Sequence, residues 1–415
     1  MSTPSWREMT RVYGKIGLLS FGGPAAQIAL MHKELVEERT WLSEDSYLRA
    51  LSLCMLLPGP EAMQLATYAG WRMRGVAGGL LAGLLFVVPG AIVIAVLALG
   101  YAYFGQVPLI QAAFLGIKAA VIVVVFQALR KVAGKALHAK LGWGLAFLSF
   151  IALFVFGLPF PLIILATAVI GFFLMLGERR QEPSKPLRQA QPVRTIAVWC
   201  ALWAAPLMLV WAAGNDFLLQ LGLFFSKLAV VTFGGAYAVL AYMTQTVVQD
   251  LGWISTGEMI DALGLAETTP GPLILVTEFV ALLAGFAQSG VLGALVAGLL
   301  ALWVTFTPCF LWIFLAGPYL ERISDQPRLA GALQAITAAV VGVIANLSLW
   351  FALHVLFDNV TVGRWFALPF PDLGSFNLAA AVLTILAGVL MLLMNRGFVT
   401  SMFILALAAL GWGTI

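Results

Sequence analysis

The sequence contains apolar runs that are long enough to cross a lipid bilayer. Residues 76–103 include no charged side chain, and residues 109–129 include only Lys118. About 20 apolar residues in a helix cross the hydrocarbon core of a bilayer, whereas transmembrane strands alternate apolar and polar residues. The pattern therefore predicts an all-α polytopic membrane protein embedded in the lipid bilayer. Further spans are predicted at residues 141–158, 160–177, 196–213, 291–316, 329–351, 377–394 and 397–413.

The composition excludes several other classes of protein. Only 10% of the residues are charged, whereas an ordinary soluble domain has about a quarter. The formal net charge of +4 is too small for nucleic-acid binding. Cys54, Cys200 and Cys309 lie in apolar runs without a nearby histidine, so we expect buried structural thiols, no metal site and no cofactor. The motifs of zinc proteases, P-loop enzymes and serine hydrolases do not occur, so no enzymatic activity is predicted.

The two halves of the chain repeat each other. A shift of 212 residues places residues 21–60 on residues 233–272, and 15 of these 40 positions are identical without a gap. Further along the chain the shift becomes 219 and pairs Pro89 with Pro308. Correspondence of this kind predicts an internal structural repeat.

Positive charges between the apolar runs predict the orientation of the repeats. The polar, proline-rich segment 178–195 has an excess of Lys and Arg, which places it on the cytoplasmic side together with the N-terminus. The next span crosses outward, so the second repeat starts on the other side of the membrane. We therefore predict two inverted-topology repeats. The predicted parts are a first repeat at 1–177, the linker at 178–195, a connecting transmembrane helix at 196–216 and a second repeat at 217–415.

Each repeat contains a Pro-Gly-Pro motif inside an apolar segment. Proline lacks an N–H and disfavours helix in the residue before it, so each motif should end one half-helix and start another. If the flanking segments cross the membrane fully, residues 32–46 lie outside and expose Lys33 and Arg39. If they are re-entrant hairpins, residues 32–46 lie inside, and their partner 244–258, which has no Lys or Arg, lies outside. The positive-inside rule favours the re-entrant arrangement slightly, and both interpretations remain open.

Phe-Gly-Gly motifs form a second pair of predicted helix breaks, at 21–23 and 233–235. Four breaks related by inverted symmetry would meet near the membrane midplane. New half-helix N-termini offer unpaired N–H groups and a positive dipole end, which favour an anion. The alternative is that the breaks are kinks or close-packing glycines. The predicted substrate-binding residues are Ser20, Phe21, Gly22, Gly23, Pro58, Gly59, Pro60, Gln64, Thr232, Phe233, Gly234, Gly235, Thr269, Pro270, Gly271 and Pro272.

Charged residues within the apolar segments are further candidates. Lys15 and Lys227 each lie six residues before the Phe-Gly-Gly motif of their repeat, and they either bind the anion or extend to the membrane surface. Lys118 lies within a predicted span and is a candidate for the transport pathway, unless it pairs with a helix carbonyl or a glutamate. Glu61 follows a Pro-Gly-Pro and is either a substrate-site residue that couples protons or the partner of a Lys or Arg. Glu278 lies close to the other Pro-Gly-Pro.

Together these motifs resemble the chromate ion transporter (CHR) family. The resemblance covers nearly the whole chain and implies a long, two-domain protein of the bacterial inner membrane with inverted halves. The family's usual activity is chromate efflux, and sulfate is a related anion. The residues that carry the resemblance are 21–24 (FGGP), 32–34 (HKE), Trp41, 55–62 (MLLPGPEA), 64–68 (QLATY), 232–235 (TFGG) and 268–272 (TTPGP).

The resemblance and the predicted breaks lead to one expected function and one alternative. We expect a secondary transporter that exports the chromate oxyanion across the inner membrane, driven by the membrane potential or by proton coupling. The alternative is a transporter for sulfate or another oxyanion, with proton-coupled uptake. The residues do not separate the two anions, which are close in size and charge, and they leave open whether the chain forms a homodimer.

Overall fold

The protein was analysed as a computed structural model that describes residues 4–21, 23–175, 191–233, 236–319, 326–363 and 368–413. Helices dominate both repeats. In the first repeat a π-helical turn at Lys33–Glu37 extends the second helix. The helices of the first repeat are α1 (Trp6–Leu19), α2 (Gly23–His32), α3 (Glu44–Leu56), α4 (Glu61–Phe104), α5 (Pro108–Ala136), α6 (Lys140–Phe154) and α7 (Phe160–Leu174).

The second repeat has the same order of elements, preceded by a connecting helix, α8 (Pro192–Ala212). Short 3-10 turns at Leu273–Leu275, Gly317–Tyr319 and Leu373–Ser375 and π turns at Gln245–Asp250 and Val389–Leu393 lie between or after its helices. The helices are α9 (Asp216–Val231), α10 (Ala236–Thr244), α11 (Thr256–Thr268), α12 (Val276–Ala316), α13 (Pro327–Leu356), α14 (Leu378–Gly388) and α15 (Phe398–Gly413).

The structure confirms an all-α membrane fold with one small addition. Five helical segments of the described residues, 61–104, 108–136, 192–212, 273–319 and 327–356, are long and apolar enough to cross a membrane. The sequence analysis did not predict the antiparallel strands β1 (Val360–Val362) and β2 (Pro369–Pro371), which pair Thr361 with Phe370. They are three residues long and precede α14, so they leave the helical architecture unchanged.

The connecting helix begins earlier than predicted. α8 starts at Pro192, within the predicted linker 178–195, because proline is well tolerated at the first position of a helix. Residues 178–190 of that linker lie outside the described part of the chain. The cysteine prediction also needs one correction: Cys54 and Cys309 are buried, but Cys200 is exposed, since α8 buries none of its residues within the described chain.

Two of the long helical segments turn back on themselves. In α4 the turn is at Gly75, with φ +66°, and in α12 it is at Gly290, with φ +63°. A Cβ atom added to Gly70 would overlap the carbonyl oxygen of Gly78, and one added to Gly285 would overlap that of Gly293. The segments before and after each turn therefore pack side by side as a helical hairpin. The spans predicted to begin at residues 76 and 291 do begin directly after these turns.

These glycine contacts give a stability prediction. Gly70→Ala or Gly285→Ala is expected to lower the free energy of unfolding by about 1–3 kcal/mol, because the new methyl group must push the two backbones apart. Thermal unfolding of the purified protein in detergent measures the change. Gly14→Ala is the matched control, because a Cβ at Gly14 would meet no atom within 4 Å. An unchanged unfolding temperature in both test variants would contradict the close packing.

Local structure confirms the sequence repeat at the shift of 212 residues. The π turn after α2 is matched by the π turn after α10. The backbone N–H of Trp41 donates to the carbonyl of Leu35 at 2.8 Å, and Trp253 donates to Val247 at 2.9 Å. The equivalent residues Ser43 and Ser255 each accept a backbone N–H at the start of the next helix, at 3.3 and 3.2 Å.

The contacts divide the chain into two compact units, and each unit contains parts of both repeats. The first unit consists of Met1–Leu99, Leu176–Ala236 and Thr269–Ala330. In it, α12 packs against α8 and α9, and Gly17 of α1 meets the backbone of Leu85 in α4. The division between the repeats predicted from the sequence therefore differs from the division between the packed units.

The second unit consists of Gly100–Met175, Tyr237–Thr268 and Gly331–Ile415. Its core forms where α5 packs against α14 and α15, with Ala119 and Val123 beside Leu383 and Leu405. α11 also packs against α5, where Gly264 fits against Ile117. The small residue Gly264 thus allows α11 to approach α5 closely, as is common between helices of membrane proteins.

Candidate functional site

Both Pro-Gly-Pro motifs interrupt helices at the predicted positions. The first motif lies between Leu56, the last residue of α3, and Glu61, the first residue of α4. The second lies between α11, which ends at Thr268, and the turn that begins at Leu273. The central glycines have φ angles of +121° at Gly59 and +90° at Gly271, which residues with a side chain rarely adopt.

The other pair of breaks also has matching geometry. Ser20 lies between α1 and α2, and its hydroxyl donates to the carbonyl of Ile16 at 2.6 Å. Thr232 lies between α9 and α10, and its hydroxyl donates to the carbonyl of Leu228, also at 2.6 Å. Phe21 and Phe233 follow them, whereas Gly22, Gly234 and Gly235 lie outside the described residues.

Each Pro-Gly-Pro contacts the other break of the opposite repeat. The backbone N–H of Gly59 donates to the carbonyl of Thr232 at 2.8 Å. The equivalent N–H of Gly271 donates to the carbonyl of Ser20 at 3.0 Å. The exchange is reciprocal, as expected for two copies related by an approximate two-fold axis. It joins the four predicted breaks into two hydrogen-bonded pairs within the first compact unit.

The same reciprocity extends to the long helices that follow the hairpin turns. Gly59 lies beside Cys309 of α12, where an added Cβ would be 2.9 Å from Sγ. Gly271 lies beside Gly90 of α4, and a Cβ on Gly90 would overlap the carbonyl oxygen of Pro270. Gly90 and Cys309 correspond under the shift of 219 residues. Each Pro-Gly-Pro is therefore held by two elements of the other repeat.

Two buried glutamine side chains support the Pro-Gly-Pro carbonyls. The amide of Gln64 donates to the carbonyl of Pro58 at 2.7 Å, and the amide of Gln27 donates to the carbonyl of Gly271 at 2.7 Å. Both side chains are buried, and neither Oε1 atom has a hydrogen-bond partner among the described residues. Gln64 was predicted as a site residue, but Gln27 was missed. The available signal was its position four residues after Gly23, which matches that of Gln64 after Pro60.

The structure places the predicted cations in different surroundings. Lys15 forms an ion pair with Glu34 at 2.5 Å, and Arg39 binds the other oxygen of this carboxylate at 2.7 Å. The Glu34 side chain is only 1% exposed, so the two cations offset the cost of its burial. Lys227 lies on an exposed face of α9. A role for Lys15 and Lys227 in anion binding stays a prediction.

Lys118 has a partner that the sequence analysis did not identify. Its ammonium group lies 3.4 Å from Oδ2 of Asp261, which also accepts a hydrogen bond from the Tyr101 hydroxyl at 2.8 Å. The sequence analysis considered a helix carbonyl or a glutamate as the partner of Lys118. The partner in the structure is an aspartate, Asp261. A signal was present, because Asp261 is an acidic residue within an apolar segment, where ionisable side chains are rare and usually functional.

Other acidic residues near the second break differ in their environment. The carboxylate of Glu267 accepts a hydrogen bond from the Tyr237 hydroxyl at 2.5 Å. Glu278 is 3% exposed, and its Oε2 has no hydrogen-bond partner among the described residues. Glu61 is half-buried in the first turn of α4. A cavity of about 70 Å³ in the second unit is lined in part by Thr244, Asn346 and His354 and by none of the predicted site residues.

His32, the last residue of α2, has a pKa that is shifted by two nearby carboxylates. Hydrogen bonds to Glu44 at 2.7 Å and to Glu37 at 3.0 Å raise the pKa of His32, and partial burial opposes this shift. A raised pKa increases the share of imidazolium at neutral pH. A positive His32 would count with Lys33 and Arg39 in the positive-inside rule, and whether residues 32–46 lie inside or outside stays a prediction.

Comparison of the sequence with known proteins identifies the family of this chain. Residues 7–172 and 219–412 match the chromate transporter family. The chain belongs to the chromate transporter family. The two matched regions fit the two repeats, and membership confirms a multi-pass membrane transport protein rather than an enzyme.

Three bacterial relatives cover most of the chain. A probable chromate transport protein of Synechococcus elongatus is 30% identical over 82% of this chain and 83% of its own length. A chromate transport protein of Cupriavidus metallidurans is 31% identical over 86% of both chains. One from Pseudomonas aeruginosa is 33% identical over 82% of this chain and 79% of its own length. No solved structure matches the chain.

Proposed function

We propose that this chromate transporter family protein exports chromate across the bacterial inner membrane, with its N-terminus and the 178–195 linker in the cytoplasm. The observation that carries the proposal is the reciprocal pairing of the four helix breaks through Gly59 and Thr232 and through Gly271 and Ser20. Irregular backbone within a membrane is tolerated where it is buried in protein or lines a cavity, and paired breaks of this kind are typical of transporter binding sites.

The paired breaks supply the chemistry that an oxyanion needs. α4 begins at Glu61 directly after one Pro-Gly-Pro, and a helical turn begins at Leu273 directly after the other. α2 begins at Gly23 next to Ser20, whose carbonyl is bonded to Gly271. The first N–H groups of each helix and its positive dipole end favour a doubly charged tetrahedral anion. The hydroxyl groups of Ser20 and Thr232 donate to carbonyls one turn earlier, so each would have to leave that carbonyl in order to donate to the anion.

The charge of chromate favours export. A membrane potential of 100 mV, negative inside, is worth about 2.3 kcal/mol for each charge that crosses. Outward movement of a dianion is therefore downhill without ATP, whereas uptake of the same anion needs coupled cations. Rocking of one part of the protein against another around a fixed site would alternate access to it.

Substitution of the two glutamines tests the proposed site. Gln27→Met and Gln64→Met remove the amide that supports each Pro-Gly-Pro carbonyl but keep a side chain of similar length. We expect each to lower radiolabelled chromate flux in proteoliposomes at least about tenfold, which corresponds to the loss of one or two buried hydrogen bonds. Gln111→Met is the matched control, because its amide donates to the side chain of Gln106 at the exposed surface rather than to a helix break.

The same proteoliposomes separate export of chromate from the alternative substrate. Labelled sulfate is measured in parallel under an imposed potential and under an imposed pH gradient. Chromate flux without sulfate flux supports the proposal. Sulfate flux that exceeds chromate flux, or wild-type chromate flux in both glutamine variants, would contradict it.

A further inference from the structure

The second compact unit contains a buried carboxylate that is bonded on one side only. Oδ2 of Asp261 contacts both the Tyr101 hydroxyl at 2.8 Å and the Lys118 ammonium at 3.4 Å. Oδ1 is buried and has no hydrogen-bond partner among the described residues. A carboxylate has about four acceptor positions, and leaving a buried oxygen without a donor is costly. Oδ1 is therefore the atom of this cluster that can take a proton.

The cation of the pair is held loosely and remains accessible. The distance of 3.4 Å between Lys118 and Asp261 exceeds the 2.7–2.9 Å that is typical of a charge-assisted hydrogen bond. The Lys118 side chain is 24% exposed, whereas that of Asp261 is 5% exposed. Protein therefore covers the carboxylate almost completely but leaves part of the Lys118 side chain uncovered, and this is the side from which an anion would reach the ammonium group.

We infer that Lys118 exchanges Asp261 for the transported oxyanion, and that Asp261 then binds a proton at Oδ1. This inference rests on the proposed function and names the coupling ion of that transport. When the ammonium turns to the oxyanion, the buried carboxylate loses its cation and an uncompensated buried charge is unfavourable. A proton from solution forms an O–H bond at Oδ1 and neutralises it. One proton therefore moves with each dianion, and the net charge transported is −1.

Few other charged groups surround Asp261. Lys118 is on α5, Tyr101 is at the end of α4, and Glu258 is one turn earlier on α11, where its carboxylate accepts from the backbone N–H of Ser255 at 2.7 Å. Glu258 is a second anion on the same helix and further favours protonation of Asp261 once Lys118 has moved. The repeat equivalent of Asp261 is Arg49, so the proton site belongs to the second repeat only.

A pH gradient at zero membrane potential tests the inference in proteoliposomes that contain the full chain. The buffers are kept alkaline, where chromate is almost wholly the dianion, and a potassium ionophore holds the potential at zero. With the less alkaline buffer outside, the wild-type protein is expected to accumulate chromate about tenfold for each unit of pH difference, because one proton enters with each anion. Asp261→Asn cannot take the proton, and it is expected to show no accumulation under the pH gradient.

Two further variants make the result decisive. Asp45→Asn is the control, because Asp45 forms an exposed ion pair with Arg49 at the equivalent helix, and it should accumulate chromate as the wild type does. Lys118→Gln removes the cation that exchanges between Asp261 and the oxyanion, so proton binding at Asp261 is no longer linked to anion binding and this variant should also lose the response to the pH gradient. Accumulation in Asp261→Asn equal to wild type, or no response to the gradient in the wild type, would overturn the inference. Absence of any chromate flux in the wild type would overturn the proposed function itself.

Discussion

Replacement of Gly59 or Gly271 by alanine is expected to abolish chromate transport. Gly59 has a φ angle of +121° and Gly271 one of +90°, and this conformation costs a residue with a side chain about 1–3 kcal/mol. A methyl group at Gly59 would also lie 2.8 Å from Nε2 of Gln64 and 2.9 Å from Sγ of Cys309. Relief of the first contact displaces the Gln64 amide from the carbonyl of Pro58, and relief of the backbone strain moves the Gly59 N–H away from Thr232 and separates the paired breaks.

Flux measurements with matched glycine variants test this expectation. Chromate flux in everted vesicles should fall below about a hundredth of the wild-type value in both variants, which corresponds to a loss of about 2.7 kcal/mol. Gly214→Ala is the control, because Gly214 has a φ angle of +67° but no atom within 4 Å of an added Cβ. The Gly214→Ala variant has similar backbone strain but no close contact at the helix breaks, so it should transport chromate at the wild-type rate. Wild-type flux in Gly59→Ala would show that the break geometry is not required.

The second large effect concerns the charge that crosses with chromate. With one proton bound at Asp261 the transported charge is −1, and a potential of 100 mV then supports a gradient of about 50-fold. Without the proton the full dianion crosses, and the same potential supports a gradient above about 1,000-fold. We therefore expect Asp261→Asn to raise the equilibrium gradient driven by the potential by at least tenfold, although it loses the response to pH.

Labelled chromate at a series of clamped potentials, with equal pH on both sides, measures this charge directly. The logarithm of the gradient should rise with potential about twice as steeply in Asp261→Asn as in the wild type. Asp45→Asn should follow the wild-type line. If the slope for the wild type corresponds to two transported charges, export still holds but no proton binds at Asp261 during transport. If neither protein forms a chromate gradient, potential-driven export is contradicted.

Several structural features could be predicted from the sequence because they depend on local properties. The long uncharged runs fix the membrane helices, since the bilayer sets their length, and the hairpin turns fall at the predicted starts 76 and 291. Pro-Gly-Pro fixes the breaks after Leu56 and Thr268, because proline removes a backbone donor. The repeated motif also predicted equivalent geometry in both halves, which Ser20 and Thr232 confirm.

Other features of the site could not be predicted because they depend on distant partners. Nothing around Gln27 in the sequence indicates that its amide supports the carbonyl of Gly271, which is 244 residues away. In the same way, the span that contains Lys118 gives no sign that its partner is Asp261. Sequence patterns show that a buried polar group needs a partner, but they do not show which of several candidates supplies it.

The sequence by itself determined the membrane helices, the repeat, the position of the four breaks and the family. Each of these follows from hydrophobic length, backbone chemistry or motif identity along the chain. Only the tertiary structure decided that Gly59 pairs with Thr232 and Gly271 with Ser20, and that Asp261 rather than a glutamate faces Lys118. The physical reason is that backbone donors and charges buried away from water must be satisfied by whichever groups the packing brings near them.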